Sequence, residues 1–396
     1  MGRRWLVKAC WIAASVACTY ALWETAITAW FRMVGLGDSE WFFEDSGRTV
    51  HFDPVSGYRL TTVPSRWARI TNGVVEYVGT LYGNRQGYPH AHDFTIRREY
   101  PEQVRIAVLG DSFTAARFLQ VNWPDRVEQE WKRDGHPIEL MNFSIDGGGL
   151  ANWWSVLRRL VDAQGYELDG VVFAVFDTDL FRRFLFAEDR GYRSHMYGRV
   201  PDWDRAAFPA SFEDARRLLR TAAGSHIISS AEFDGLLRGK RPASVPRPPI
   251  RPVLARIVWH WMLGCLQPPK VPRAWSAGQI AMMADIHGFL AQRGIPAVVV
   301  YFPGRDGLIE GVPQLERAAR DFSSRIGAEF WNGTEAFHTA NAREIRRYFF
   351  PYDAHWNQMG SDRFADFMRR RLEQFGRHRA SVRTPEAGPK PRSGER

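Results

Sequence analysis

The chain has 396 residues, 45% of them hydrophobic and 24% charged, which is enough apolar sequence to bury a core and excludes a wholly disordered protein. The net charge is +9, but the basic residues are scattered and recur in the polar C-terminal segment, without a compact basic patch interleaved with aromatics. Nucleic-acid binding is therefore not expected. The three cysteines, Cys10, Cys18 and Cys265, offer neither a disulfide framework nor zinc-binding spacing.

The first predicted element is an apolar helix near the N-terminus. Three basic residues precede an apolar run over residues 9–31 whose only charge is Glu24. A signal peptide or a buried helix can carry such a run, but this one is apolar on all faces and lacks a clean small-x-small cleavage site. We therefore predict one uncleaved membrane anchor over residues 1–35, with lipoprotein-type cleavage at Cys18 ranked lower. The preceding positive charge predicts a single-pass inner-membrane protein whose C-terminal domain is periplasmic.

The remainder of the chain divides into a small β-rich region and a larger α/β domain. Residues 36–100 contain short stretches in which polar and apolar residues alternate, and this pattern predicts a linker with a small β-rich addition. Over residues 101–376 strand and helix patterns alternate, which predicts a parallel sheet. The predicted strands are Arg105–Leu109, Ile138–Phe143, Gly170–Phe176, Ala297–Tyr301 and Ala328–Trp331, and the predicted helices are about Trp123–Asp134, Ala151–Gln164, Ser276–Gln292, Gln314–Ile326 and Gln358–Phe375. The predicted fold class is α/β, a three-layer α/β/α sandwich with a five-stranded parallel sheet, plus one N-terminal transmembrane helix.

Two segments depart from the regular alternation. Residues 186–275 are predicted to be an insertion, and their stretch from Gly239 to Pro252 is dense in Pro and Arg, which indicates extended chain. The apolar stretch Val253–Leu266 fits a lid helix, a membrane-surface helix or ordinary packing, of which packing is ranked first. Residues 377–396 are polar and are predicted to form a disordered tail.

The end of the first predicted strand carries the most informative residues. The apolar run stops at Gly110-Asp111-Ser112, and the glycine permits a sharp turn that leaves the serine exposed at the carboxyl end of a strand, where open α/β sheets bind ligands. A serine hydroxyl is a weak nucleophile that needs an adjacent base. Asp353 and His355, in a loop before the last helix, supply a carboxylate that fixes the imidazole tautomer and an imidazole that takes the proton.

A glycine after the second predicted strand adds a further element of the site. Gly147 has a backbone N–H that can approach a developing oxyanion closely, alongside the N–H of Ser112, and each such donor contributes roughly a hundredfold to a thousandfold in rate. Taken singly, these features also fit a strand-to-helix turn, a loop histidine and a flexible glycine turn. The Gly-x-Gly-x-x-Gly and Gly-Lys-Ser/Thr phosphate-binding fingerprints are missing from the sequence.

Together these residues resemble the SGNH (GDSL-type) hydrolase family. The family pattern of Gly-Asp-Ser after the first strand, Gly after the second, and Asp and His near the carboxyl end is matched by residues 110–112, Gly147, Asp353 and His355. The matching region covers about residues 104–375. The resemblance implies a serine nucleophile, a histidine base and an orienting aspartate on an α/β/α sheet.

Two departures from the family pattern are visible. The family has an Asn after the third strand whose amide helps to bind the oxyanion, whereas Thr178 occupies that place here, between Asp177 and Asp179. A hydroxyl can donate one hydrogen bond, so Thr178 is the predicted third oxyanion donor, a role that ionised carboxylates cannot take. Only one residue separates Asp353 from His355, and this Asp-x-His-Trp form is similar to that of alginate-type polysaccharide O-acetyltransferases.

The resemblance implies a serine esterase or O-acyltransferase. Together with the predicted anchor, the aromatic richness and the Asp-x-His-Trp form, it predicts a membrane-anchored extracytoplasmic enzyme acting on ester groups, expected to be acetyl, of a cell-envelope glycan. The alternative is a catalytically weak or inactive SGNH-like envelope protein that binds glycan or supports a membrane acyltransferase. A third, lower-ranked function is a lipid-directed enzyme using residues 253–266 at the membrane surface. No cofactor and no metal are expected. His90, His92 and His260 are interpreted as structural or surface residues.

Overall fold

The computed structural model describes residues 2–33, 39–46, 50–71, 73–182, 184–186, 196–197, 225–245, 274–338 and 341–383. In chain order, its strands are β1 (Ser39–Glu44), β2 (Val50–Asp53), β3 (Gly57–Leu60), β4 (Ser65–Thr71), β5 (Val74–Leu81), β6 (Val104–Leu109), β7 (Ile138–Asn142), β8 (Gly170–Phe176), β9 (Leu185–Phe186), β10 (Met196–Tyr197), β11 (Ser225–Ile228), β12 (Ala297–Phe302) and β13 (Glu329–Asn332). Its helices are α1 (Gly2–Met33), α2 (Ser112–Ala115), α3 (Trp123–Arg133), α4 (Leu150–Ser155), α5 (Ser230–Leu237), α6 (Ala277–Arg293), α7 (Arg305–Glu310), α8 (Pro313–Ile326), α9 (Ala342–Arg347) and α10 (Gln358–Arg383). These elements form two compact units.

The larger unit is built on the predicted five-stranded sheet. Its strand order is β13-β12-β8-β6-β7, and every neighbouring pair is parallel. All residues of β8 and β12 are buried, because the central strands of a parallel sheet are covered on both faces and need apolar side chains on each. The predicted third strand matches β8 residue for residue, and the others agree to within one residue at each end. The predicted fold class is confirmed.

Helices cover both faces of this sheet, which makes three layers. On one face α3 and α10 pack together, and their aromatic side chains join Ile106, Val172 and Val300 in one buried cluster. On the other face the Phe173 ring lies 6.4 Å from that of Trp153 in α4 and 5.6 Å from that of Phe322 in α8. Successive side chains of each strand therefore pack alternately against the two helical layers, because they point to opposite faces of the sheet.

Local signals explain where the covering helices begin and end. Ser276 precedes α6 and forms a capping box with Gln279, while Asn122 caps α3, which has Pro124 in its first turn. The predicted helix over 151–164 is α4 continued by a π-helical turn, Val156–Asp162.

The last helix is longer than the sequence analysis predicts. It continues past Phe375 to Arg383, so the first seven residues of the predicted tail are helical. A glycine inside a helix costs only about 1 kcal/mol, and the residues after Gly376 include the good helix formers Arg and Ala. Residues 384–396 lie outside the described part of the chain.

The smaller unit contains a sheet of strand order β11-β1-β4-β5. β1 pairs antiparallel with β4 and parallel with β11, and Phe42, Ala68, Ile228 and Phe233 form its core. β11 falls inside the predicted insertion, so part of that segment completes a sheet begun before residue 45. The residue limits predicted for the linker and the insertion stay a prediction, and residues 253–266 lie outside the described residues.

The N-terminal helix α1 has the length and composition of a membrane span. Its segment Cys10–Ala29 has 20 residues with a mean hydropathy of 1.2, and none of it is buried within the protein. A signal sequence meets the same criterion.

Candidate active site

The turn after β6 fixes the position of Ser112. A Cβ on Gly110 would lie 2.3 Å from Thr114 Oγ1, so only glycine fits at this bend. The fully buried Asp111 caps α2 by accepting a 2.9 Å hydrogen bond from the N–H of Phe113. Trp153 Nε1 donates to the carbonyl of Gly110 at 2.9 Å. These contacts fix the backbone of the turn. The Ser112 side chain itself is half-exposed, at the carboxyl end of β6.

The structure brings Ser112, His355 and Asp353 together, although the serine and the histidine are 243 residues apart. Ser112 Oγ lies 2.7 Å from His355 Nε2, and His355 Nδ1 lies 2.7 Å from Asp353 Oδ1. Because a carboxylate only accepts, the Nδ1 position carries the proton and Nε2 accepts from the serine hydroxyl. We call these three groups the relay.

The loop that carries His355 is fixed by the start of α10. The N–H of Phe350 donates to the carbonyl of His355 at 3.1 Å. The Asn357 side chain donates to the carbonyl of Arg347 at 2.7 Å and accepts from the N–H of Gly360 at 3.2 Å. The buried Trp356 anchors the loop from below, with its ring 4.8 Å from that of Phe302.

The surroundings of the imidazole favour its protonated form. The ring lies between the aromatic rings of Phe113 and Phe118, at 4.8 and 4.7 Å, and 26% of its side chain is exposed. Burial opposes protonation, but the hydrogen bond and charge of Asp353, with the charges of Asp111 and Asp146, outweigh it and raise the pKa of His355. Removal of a proton from Ser112 by His355 is thereby assisted.

The predicted oxyanion donors lie at the carboxyl ends of adjacent strands. Ser112 follows β6, Gly147 follows β7 and Thr178 follows β8, and β6 lies between the other two. Gly147 has a φ of +73°, which a residue with a side chain rarely adopts. Among the described residues, no acceptor pairs with the N–H of Ser112 or of Gly147. That these donors converge on one oxygen stays a prediction.

A buried charge arrangement beneath Ser112 was not predicted from the sequence. Arg182 Nη1 lies 3.1 Å from Asp111 Oδ2 and 2.8 Å from Asp179 Oδ1, and it donates to the carbonyl of Gly148 at 3.2 Å. Burial, together with the nearby Asp111 charge, raises the pKa of Asp179 well above its usual range. The carboxyl of Asp179 also accepts from the N–H of Phe176 at 2.9 Å.

A second ion pair links the serine turn to the glycine loop. Arg117 and Asp146 form a close ion pair, just after α2 and just before Gly147 respectively. The N–H of Ile145 also donates to the carbonyl of Gly110 at 3.1 Å. The sequence offered no signal for the contacts of Arg182 with Asp111 and of Arg117 with Asp146, since these partners are 71 and 29 residues apart.

One buried amide supports the same region. Asn142 Nδ2 donates to the carbonyl of Thr114 at 3.2 Å and to that of Pro89 at 3.1 Å. Its Oδ1 accepts from the N–H of Ser144 at 3.1 Å. The end of β7 is thereby tied both to α2 and to the loop before β6.

Comparisons with known proteins give structural likenesses alone. No protein-family model matches the sequence, and no curated protein is similar to it. Similar solved structures include the psychrotrophic esterase EstA from Pseudoalteromonas sp., with 12% identity, 68% of this chain and 97% of that chain covered, and a TM-score of 0.35. The lipase/acylhydrolase from Enterococcus faecalis has 11% identity, 69% and 97% coverage and a TM-score of 0.36. The acetyl xylan esterase AlAXEase has 12% identity, 68% and 100% coverage and a TM-score of 0.36.

These values are too low to say anything of activity. The fold rests instead on the strand order of the main sheet and on the residues at its strand ends and before the last helix. Gly-Asp-Ser comes after β6, Gly147 comes after β7, and Asp353 and His355 precede α10. On those features, the larger unit has an SGNH hydrolase-like fold.

Proposed function

We propose that this chain is a membrane-anchored serine esterase or O-acyltransferase that works outside the cytoplasmic membrane. The observation that carries the proposal is the relay, in which 2.7 Å separates Ser112 Oγ from His355 Nε2 and 2.7 Å separates His355 Nδ1 from Asp353 Oδ1. A hydroxyl, an imidazole and a carboxylate in that order are the groups that acyl transfer requires.

In the first half of the reaction, Ser112 Oγ attacks the ester carbonyl and His355 Nε2 takes the hydroxyl proton. The carbonyl oxygen becomes an oxyanion that accepts from the N–H groups of Ser112 and Gly147 and from the Thr178 hydroxyl. The tetrahedral adduct then collapses, and the bond between the acyl carbon and the alcohol oxygen breaks. His355 returns its proton to this leaving oxygen. Asp353 stabilises the imidazolium without taking its proton.

In the second half, a water molecule or a sugar hydroxyl attacks the acyl group on Ser112. His355 removes the proton of this attacking group, and Ser112 leaves with that proton. Water gives hydrolysis and a sugar hydroxyl gives transfer, so a single relay serves either outcome.

The substrate we propose is an ester, acetyl in the first instance, on a cell-envelope glycan. Support comes from α1, which has the length to hold the chain at a membrane, and from the Asp-x-His-Trp sequence at residues 353–356. The topology we propose is single-pass in the inner membrane, with the C-terminal domain in the periplasm and a membrane acyltransferase as a partner.

The test is hydrolysis of p-nitrophenyl acetate by the full-length chain in detergent, with Ser112→Ala beside the wild type. We expect turnover by the wild type and a loss of about 10⁴-fold or more in the variant. Ser324→Ala, at an exposed position on α8, is the matched control and retains full activity. Mass spectrometry after brief exposure to the donor is expected to find one acetyl group, on Ser112. Equal turnover by the wild type and the Ser112 variant would end the proposal.

A second function is favoured by one observation, the threonine at the position of the third oxyanion donor. A catalytically weak SGNH-like envelope protein would bind acetylated glycan, or support a membrane acyltransferase, without turning over esters. Reaction of Ser112 with a fluorophosphonate separates the two, because labelling requires an activated serine. No labelling of the wild type, with retained glycan binding, would favour the second function.

A further inference from the structure

Two histidines and a glutamate converge in the loop before β6, away from the relay residues in sequence. His90 and His92 lie in this loop and Glu128 lies on α3, and one ligand atom from each falls within 4.8 Å of the others. His90 Nε2 lies 3.3 Å from His92 Nε2 and 3.4 Å from Glu128 Oε2, while His92 Nε2 lies 3.3 Å from Glu128 Oε1. We call these three residues the histidine–carboxylate cluster.

The His90 ring has a carboxylate near each of its two nitrogens. His90 Nδ1 lies 2.5 Å from Asp125 Oδ1, so the tautomer that has its proton on Nδ1 directs this proton to the side of a carboxylate. A neutral His90 therefore presents a lone pair at Nε2, facing the Nε2 atom of His92. One proton placed between the two rings makes one hydrogen bond and leaves Glu128 to other partners, whereas a cation contacts all three groups together.

The distances match the size of a metal ion. Tetrahedral zinc, with Zn–N bonds of about 2.0–2.1 Å, holds its ligand atoms about 3.3–3.4 Å apart. The two Nε2 atoms are 3.3 Å apart, and each lies at a similar distance from one oxygen of Glu128, His90 Nε2 at 3.4 Å from Oε2 and His92 Nε2 at 3.3 Å from Oε1. The contact of His90 with Asp125 is also the carboxylate–histidine pairing that orients metal-binding imidazoles through their second nitrogen.

The charges around the cluster favour a cation. Asp125, Glu128 and Glu139 contribute three carboxylates, and Glu139 Oε1 lies 3.9 Å from His92 Nε2. Two cationic side chains face them: Lys132 Nζ lies 2.6 Å from Glu128 Oε1, and Arg105 Nε lies 2.7 Å from Glu139 Oε2. The carboxylates outnumber the cations.

The burial pattern leaves one open side. The side chains of His90 and Glu128 are 0% and 2% exposed, whereas that of His92 is 37% exposed. An ion can enter past His92 and take water or the Glu139 carboxylate as a fourth ligand.

We propose that His90, His92 and Glu128 bind one divalent transition metal ion, with zinc as the expected ion. Two imidazoles and a carboxylate suit zinc better than Mg²⁺ or Ca²⁺, which prefer oxygen ligands alone. The ion fastens the loop around residue 90 to α3, and Asp125 positions His90 through its second nitrogen. Sequence analysis assigned no metal here, because Glu128 is 36 residues from His92 and nothing in the local pattern joins them.

The experiment uses the full-length chain in detergent with Cys10 and Cys18 replaced by serine, which removes two exposed thiols. The protein is stripped with a chelator, dialysed against Zn²⁺ or Co²⁺, and its bound metal is counted by mass spectrometry. We expect one ion per chain, a Co²⁺ visible spectrum of low coordination number without a thiolate band, and a higher melting temperature with Zn²⁺.

Three variants locate the ion. His92→Ala is expected to abolish stoichiometric binding and the melting shift, and Asp125→Asn to weaken binding by about 10- to 100-fold. His338→Ala, an exposed histidine outside the cluster, is the control and binds as the wild type does. The wild-type measurements stand even where a variant fails to fold. A wild type that retains no ion, or a His92 variant that binds normally, would overturn the proposal.

Discussion

The relay and the histidine–carboxylate cluster both join histidines to carboxylates from distant segments, but they differ in how many partners each ring has. In the relay, His355 has one carboxylate on one nitrogen and one hydroxyl on the other, so a proton can pass along a line. In the cluster, the Nε2 atoms of His90 and His92 face each other and Glu128 together. The first arrangement suits proton transfer, and the second suits a shared cation.

The largest expected effect separates the two regions directly. His355→Ala is expected to lower kcat/KM for p-nitrophenyl acetate by about 10⁴-fold or more, because Ser112 loses its base, and to leave zinc stoichiometry unchanged. His92→Ala is expected to do the reverse, with loss of zinc and kcat/KM within a few-fold. Steady-state kinetics and metal analysis on the same preparations check both. Loss of zinc in the His355 variant would show that the two regions are not separate.

The ion pairs of Arg182 with Asp111 and Asp179 give the next largest expected effect, a change in the free energy of unfolding. Arg182→Met leaves two buried carboxylates, Asp111 and Asp179, without their cation and is expected to lower the free energy of unfolding by about 3–5 kcal/mol. Arg325→Met, which breaks an exposed helical pair with Asp321, serves as control and costs about 0.5 kcal/mol or less. Denaturant titration followed by tryptophan fluorescence measures both. Equal changes in the two variants would contradict this assignment.

The oxyanion prediction can be tested at one position. Thr178→Ala is expected to lower kcat by about 10²-fold, because one hydrogen-bond donor is lost from the transition state. Thr178→Asn, which supplies an amide, is expected to recover the wild-type rate or exceed it, with KM nearly constant in both variants. If alanine and asparagine leave kcat equally unchanged, Thr178 takes no part in oxyanion binding.

The pH dependence gives the smallest effect. His355 must be neutral to accept a proton, so kcat/KM is expected to fall as the pH drops through a value above 6.5, the ordinary histidine pKa, because Asp353 raises it. The same shift stabilises the fold below pH 6.5, and this contribution is lost as the pH rises through the raised value. Asp353→Asn is expected to move the acid limb of the rate profile to lower pH. An unmoved limb would mean that another group titrates.

The sequence predicts the sheet well because its strands have strong local patterns. The run Gly170–Phe176 is apolar throughout and ends at turn-forming residues, so its limits are exact. Ser112 and His355 could be paired because a serine nucleophile needs a base, and the Asp and His before the last helix resemble those of the SGNH family. The C-terminal end of α10 was less predictable, since a single glycine does not stop a helix that has good helix formers on both sides.

The paired charges were beyond sequence analysis. Arg182 meets Asp111, 71 residues away, and no spacing rule selects this arginine from the others in the chain. The histidine–carboxylate cluster could not be predicted from the sequence either, because tertiary packing, including that of α3 against β7, brings His92 and Glu128 together. Such pairs are decided by tertiary packing, which periodicity along the chain does not encode.

The side chain of Asn142 has a consequence for both regions. Its amide nitrogen has two hydrogens, and both are used, one on the carbonyl before His90 and one on the helix that starts with Ser112. The side-chain amide of Asn142 thus bridges the helix that carries Ser112 and the loop that carries His90. Glutamine, whose side chain is longer by one methylene, cannot keep both bonds at their present lengths, so a shift of either segment is constrained by the other.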